Sequence, residues 1–190
     1  MPLLYIEGQT FSKNDYRNSP LEKWEYEHCI FLNCDFSDSD ISEVAFSSCE
    51  FRNCNMSMTK MQSTSLQNIT FKDSKILGIQ FDTCNNFLLE FSFENCILNF
   101  ASFYGMKIPK TKFRECILQE VNFTGTDIHD GVFENCDFTR AVFHRTNLRN
   151  SDFTSSYWFL IDPEENTIEK AQFPLSGTPG LLMKYDVIIK

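Results

Sequence analysis

The sequence contains no apolar run of about 18 residues, which excludes a helical membrane span. Its opening, Met1 to Thr10, has no basic region followed by an apolar one, so no signal peptide is expected. Histidine is scarce: His28, His129 and His144 stand far apart and compose neither a ligand set nor a catalytic pair with the abundant serines. The signatures of P-loops, dinucleotide sites, zinc peptidases and serine hydrolases are missing. These absences point away from catalysis, and no cofactor or metal is expected. Missing too are the helical period of 3.6 and the strand period of two.

A different period takes their place. From Tyr26 to Trp158 a large apolar residue returns every fifth position, and the residue two places before it is nearly always small. One register runs through Tyr26, Phe31, Phe36, Ile41, Phe46 and Phe51 to Phe81. After a slip, a second is expected to resume at Leu88 and pass through Phe93, Leu98, Phe103 and Phe123 to Phe153 and Trp158. Such a repeat is a coil, each turn burying its core against its neighbours. Four five-residue units make a four-sided turn, so residues twenty apart stack. Phe31, Phe51 and Phe71 then form one ladder, and Phe103, Phe123 and Phe143 another. Rungs of a β-type coil lie roughly 4.8 Å apart, which suits layered rings.

All eight cysteines (Cys29, Cys34, Cys49, Cys54, Cys84, Cys96, Cys116, Cys136) occupy the small position. They alternate there with Val44, Thr59, Ala101, Val121, Thr126 and Ala141. A disulfide framework or thiolate cluster is the sharper alternative. Cysteine as a small, buried hydrophobe accounts for every position. Free core cysteines without an export signal point to the cytoplasm.

The net charge of −9 is uneven: residues 1–50 carry ten acids and three bases, whereas 51–105 and 106–160 are balanced. An acidic amino-terminal third repels nucleic acid and can attract a basic protein groove, with Asp35, Asp38, Asp40 and Glu43 as candidate contacts. An ordinary solubilising face is the alternative. Lys107, Lys110 and Lys112 cluster around Pro109, without the interleaved aromatics of a single-strand groove.

One domain is expected. A solenoid over residues 1–175 opens with an amino-terminal cap closed by Phe11 and Tyr16, and its register slips at about 84–91. At the slip Asn85, Asn86 and Phe87 form a bulged corner. Phe87 or Phe91 then faces outward as a candidate partner contact, or folds over the coil as local packing. Asp162-Pro163 marks a turn, and a final coil reaches Phe173. Residues 176–190 form a short helix and tail, in which Thr178 can cap with Pro179 at the first helical position. Leu181, Leu182, Met183, Tyr185, Val187, Ile188 and Ile189 are too apolar to stand free. A twofold homodimer would cover them, as would folding back onto the last coil.

The order of a small residue, a polar residue, Leu or Phe, then polar residues resembles the pentapeptide-repeat family. Cys34-Asp35-Phe36-Ser37-Asp38, Val121-Asn122-Phe123-Thr124-Gly125 and Cys136-Asp137-Phe138-Thr139-Arg140 carry the likeness. It implies an all-β fold, a right-handed quadrilateral β-helix with a short C-terminal helix. Phe11 to Tyr16, the slip near Asn85 and the ending from Leu181 to Ile189 are similar to the quinolone-resistance branch, the Qnr- and MfpA-like proteins. That branch implies an acidic homodimer that engages DNA gyrase or topoisomerase IV where DNA binds, protecting or inhibiting the enzyme without catalysis. A scaffold of the same fold for another protein partner is the alternative. Long protruding loops of the branch are not found here, and no acidic row repeats at twenty: position 35 is Asp, 55 is Asn and 75 is Lys.

Overall fold

A computed structural model describes residues 4–188. Among these, eleven short strands form: β1 (Tyr5–Glu7), β2 (Thr10–Ser12), β3 (Glu25–Glu27), β4 (Ile30–Leu32), β5 (Ala45–Ser47), β6 (Glu50–Arg52), β7 (Ser65–Gln67), β8 (Ile69–Lys72), β9 (Phe91–Glu94), β10 (Lys112–Arg114) and β11 (Val132–Glu134). All pair in parallel, mostly with the residue twenty positions on. Face 1 of the coil is the sheet β1-β3-β5-β7, and face 2 is the seven-stranded sheet β11-β10-β9-β8-β6-β4-β2. Single bridges build the other two faces: Asp15, Asp35, Asn55, Lys75, Ile97, Ile117, Asp137 and Tyr157 in line on face 3, with Asp40–Lys60 and Gln80–Ser102–Asn122–Val142 on face 4. The result is a right-handed, four-sided pentapeptide-repeat β-solenoid ending in a short helix.

The corners explain the polar residues between apolar ones. The second residue after most core residues adopts a left-handed conformation, as at Asn33 (φ 55°), Asp38 (φ 57°) and Asn53 (φ 51°). Asn and Asp tolerate this region better than most side chains. The residue just before the core position closes the same corner from outside: Asp35 accepts from the Ser37 amide at 2.9 Å, and Asp137 from the Thr139 amide at 2.9 Å.

Inside, rings stack at the rise of the coil. Along face 2, successive phenylalanines from Phe11 to Phe173 lie 4.4–5.3 Å apart with planes nearly parallel. Phe81, Phe103, Phe123 and Phe143 form a second column. Phe11 and Tyr16 stack on Phe31 and Phe36 and close the amino-terminal end. The small inward position also has a polar duty. Cys54 Sγ donates to the Phe31 carbonyl one coil earlier at 3.3 Å, as the Thr126 hydroxyl does to Phe103 at 2.8 Å. Small donors therefore interchange there. All eight cysteines are buried and unbridged, and burial pushes the thiols of Cys49, Cys84 and Cys96 up to about 12.

The slip differs from its expected form. Ser65 still pairs with Asn85, twenty residues on, but Ile69 pairs with Phe91, twenty-two on. The two extra residues therefore lie between Asn85 and Phe91. Asn86 inherits the core-facing phase and, being polar, turns outward. Phe91 fills the vacated interior, 3% exposed and with its ring 5.3–5.9 Å from those of Phe81, Phe93 and Phe103. It is thus core and not an outward contact. Leu88 is not the first core residue of the second register: it is a left-handed corner residue (φ 51°), 64% exposed. At the other end Trp158 leaves the core, 70% exposed with φ 62°, and Phe159 packs in its place against Phe153 and Phe173.

Candidate partner-binding surfaces

The interior is filled by stacked rings and offers no chamber. Among the described residues no group of His, Cys, Asp and Glu could hold a metal ion. Whatever the protein recognises meets its outside, where three regions stand out.

The bulge is the first. Phe87, 68% exposed, projects from a corner closed by its own amide, which donates to Asn85 Oδ1 at 3.0 Å. Asn85 and Asn86 are exposed beside it. Of the four residues expected to form this contact, Asn85, Asn86 and Phe87 meet at the surface and Phe91 does not.

The acids are the second. Asp35 and Asp40 spend part of their hydrogen-bonding capacity on the chain: Asp35 also takes the Ser37 hydroxyl at 2.6 Å, and Asp40 accepts from the Ser42 amide at 2.9 Å. The Ser42 hydroxyl and amide hold the Asp40 carboxyl below the usual carboxylate range. Asp38 and Glu43 (φ 65°) sit on left-handed corners and are exposed, Glu43 with Lys23 at 2.9 Å. The four acids run along one coil, from Asp35 on face 3 and Asp38 at its corner, through Asp40 on face 4, to Glu43 at the corner with face 1, whereas the bulge lies at the corner between faces 1 and 2. Asp38 is diagonally opposite the bulge and none of the four acids shares its corner, so the two groups do not compose one site. A further acidic group lies on face 1, where Glu7 and Glu27 are in direct register and Tyr5 donates to Glu27 at 2.5 Å. Like charges so placed oppose folding.

The C-terminal element is the third. A 3₁₀ turn at Leu175–Gly177 leads into helix α1 (Thr178–Leu182), and a second 3₁₀ turn follows at Met183–Tyr185. Thr178 lies inside the helix and does not cap it; its hydroxyl donates back to the Leu175 carbonyl at 2.8 Å. The element folds onto its own last coil. The Ile161 amide donates to Gly180 O at 3.1 Å, Lys184 pairs with Asp162 and Glu164 at 2.7 and 2.6 Å, and Tyr185 donates to Glu164 at 2.6 Å. Gly177 and Gly180 permit the approach, since a Cβ on either would fall 2.4 Å from the Phe159 ring or 2.1 Å from its carbonyl oxygen. The cap leaves an apolar groove of about 970 Å³ lined by Trp158, Leu160, Leu182, Met183 and Val187 among others. Ile188 is exposed, and Ile189 lies outside the described residues.

The sequence matches the model of the Pentapeptide repeat region over residues 45–123 and 88–173, most of the chain. It belongs to the pentapeptide-repeat family. No curated protein matches this pentapeptide-repeat chain significantly in sequence. Among solved structures it is similar to a trypsin-treated variant of QnrB1, a plasmid-mediated fluoroquinolone resistance protein, with a TM-score of 0.64 at 16% identity, covering 99% of each chain. Full-length QnrB1 is similar with a TM-score of 0.58 at 16% identity, covering 96% of this chain and 100% of that one. At such identity the likeness is one of fold.

This pentapeptide-repeat protein also carries a lateral apolar feature that was missed in sequence. Ile97 and Ile117 bridge on face 3, and Met58 and Phe100 project from its left-handed corners at φ 57° and 63°. The signal was available: Phe100 falls two places after Leu98, where a polar residue is the rule.

Proposed function

We propose that this pentapeptide-repeat protein is a non-catalytic, cytoplasmic binder of a type II topoisomerase, DNA gyrase or topoisomerase IV, acting on the enzyme surface that DNA uses. The end-to-end correspondence with the QnrB1 fold, extending through the C-terminal helix, is the observation that carries this reading. Charge supports it: the amino-terminal coils present Glu7, Glu25, Glu27, Asp38 and Glu43 outward, an arrangement suited to a basic groove. Because face 3 changes from Asp35 to Asn55 to Lys75, the mimicry is confined to that end and does not run along the rod. Among the described residues no helix is long and apolar enough to cross a membrane. Two chains join at the C-terminal groove, with Leu181, Leu182, Met183, Val187 and Ile188 at the junction, because the cap leaves these side chains only partly covered.

The test is a supercoiling and cleavage titration with ciprofloxacin present and absent. Restored supercoiling with reduced cleavage marks protection, and lost supercoiling without drug marks inhibition. No effect of folded protein at high excess on either gyrase or topoisomerase IV rejects the reading. The bulge, at a different corner from the acids, favours a second reading: a scaffold for another protein partner.

A further inference from the structure

The bulge also opens a groove of about 470 Å³ at the corner between faces 1 and 2. Ile69 and Phe91 lie beneath it, 1% and 3% exposed, and the partly covered Leu89 is the apolar side chain it presents. One wall is cationic, formed by exposed Lys110 and Lys112, with exposed Lys107 beside it on face 1. Among the described residues none of these lysines is in an ion pair. The carboxylates of the neighbouring rungs are already engaged, Glu94 by Lys72 at 2.8 Å and Glu134 by Arg114 at 2.7 Å. Glu90 is the one carboxylate of the lining, so cation is in excess within a chain of net charge −9.

The backbone is open at the same place. Asn85 bridges Ser65 and Lys107 bridges Asp127, but the two are not bridged to each other. The amide and carbonyl of Lys107 have no backbone partner among the described residues. A partly covered Leu89 and unpaired ammonium groups line the groove, and the unpaired peptide unit of Lys107 lies three residues before Lys110.

We propose that this groove docks an extended acidic segment of a protein partner. One apolar side chain of that segment rests on Leu89, and its carboxylates face Lys107, Lys110 and Lys112. Phe87 and Leu88, at the exposed crest of the bulge, add apolar area at the lip. The chemistry is the reverse of the acidic end's, so this contact stands or falls independently of topoisomerase binding. The apolar area of Leu89, Phe87 and Leu88 favours a peptide carrying an apolar side chain over a phosphate backbone as the occupant.

The probe is a fluorescein-labelled, Glu-rich decapeptide with one central Phe, titrated into the full chain by anisotropy, with amide shifts mapping the contact. Saturable binding is expected, with shifts at Leu89, Ser92, Lys110 and Lys112. It should weaken about tenfold or more when Lys110→Glu and Lys112→Glu are combined, and fall with salt. Replacing Glu by Gln or Phe by Ser in the peptide should weaken it too. Both lysines are exposed, so the variant should keep its circular dichroism spectrum, and Lys60→Glu with Lys75→Glu on other faces should change nothing. No saturation by about 1 mM peptide, the weak end of specific association, overturns the proposal. So does unchanged affinity in the Lys110, Lys112 variant, or equal competition by oligothymidylate.

Discussion

Phe91→Ala and Phe87→Ala, four positions apart on one bulge, should differ in stability by several kcal/mol. Phe91 is 3% exposed and in ring contact with Phe81, Phe93 and Phe103. Burying a phenylalanine is worth about 1.5–3 kcal/mol, and aromatic pairs add about 0.5–1.5 kcal/mol each. Asn86, the residue whose phase would otherwise fill this volume, faces solvent, so the cavity has nothing to collapse onto it. Phe91→Ala is therefore expected to cost about 3–5 kcal/mol, the usual range for a buried phenylalanine. Phe87 is 68% exposed, and its truncation should stay within about 0.5 kcal/mol. Urea unfolding followed by circular dichroism, extrapolated linearly, gives both values. A cost below about 1 kcal/mol for Phe91→Ala, or a larger one for Phe87→Ala, refutes the packing described for the slip.

Three further outcomes are expected at the carboxy-terminal end. Gly180→Ala should loosen the cap, because the added Cβ meets the Phe159 carbonyl oxygen at 2.1 Å; a cost of about 1–3 kcal/mol and faster amide exchange over 175–185 are the readouts. The cap should also loosen in acid. Lys184 holds the Asp162 and Glu164 carboxyls below their usual values, so their contribution is complete above about pH 4.5 and is lost as pH falls through the lowered values. Exchange over 175–185 that stays constant from neutral pH to about pH 2, after correction for intrinsic rates, contradicts this. Leu182→Asp should convert the proposed dimer to monomer; unchanged mass in analytical ultracentrifugation rejects the junction.

Most of the fold was legible because one number, five, governs which residues enter the core. Phe31 over Phe51, and the cysteines at the small inward position, follow from it directly. Legibility failed where two apolar residues competed for one interior volume. Leu88 fits the second register by spacing, yet Phe91 takes the space because backbone phase, not hydrophobicity, decides which side chain points inward at a bulge. Trp158 lost to Phe159 in the same way. For the candidate contacts, sequence supplied charge and exposure but not which side of the square each residue occupied. It therefore named Asp38 and Phe87 as separate candidates without showing that the coil places them at opposite corners.

The two extra residues after Asn85 leave the ring columns undisturbed: Phe71 and Phe93, on either side, stack 5.1 Å apart and within 9° of parallel. A corner can therefore change length while the face 2 column runs on, provided a residue beyond the insertion, here Phe91, refills the interior that Asn86 leaves. Insertions at such points alter what the rod displays and are tolerated where the sequence supplies that replacement.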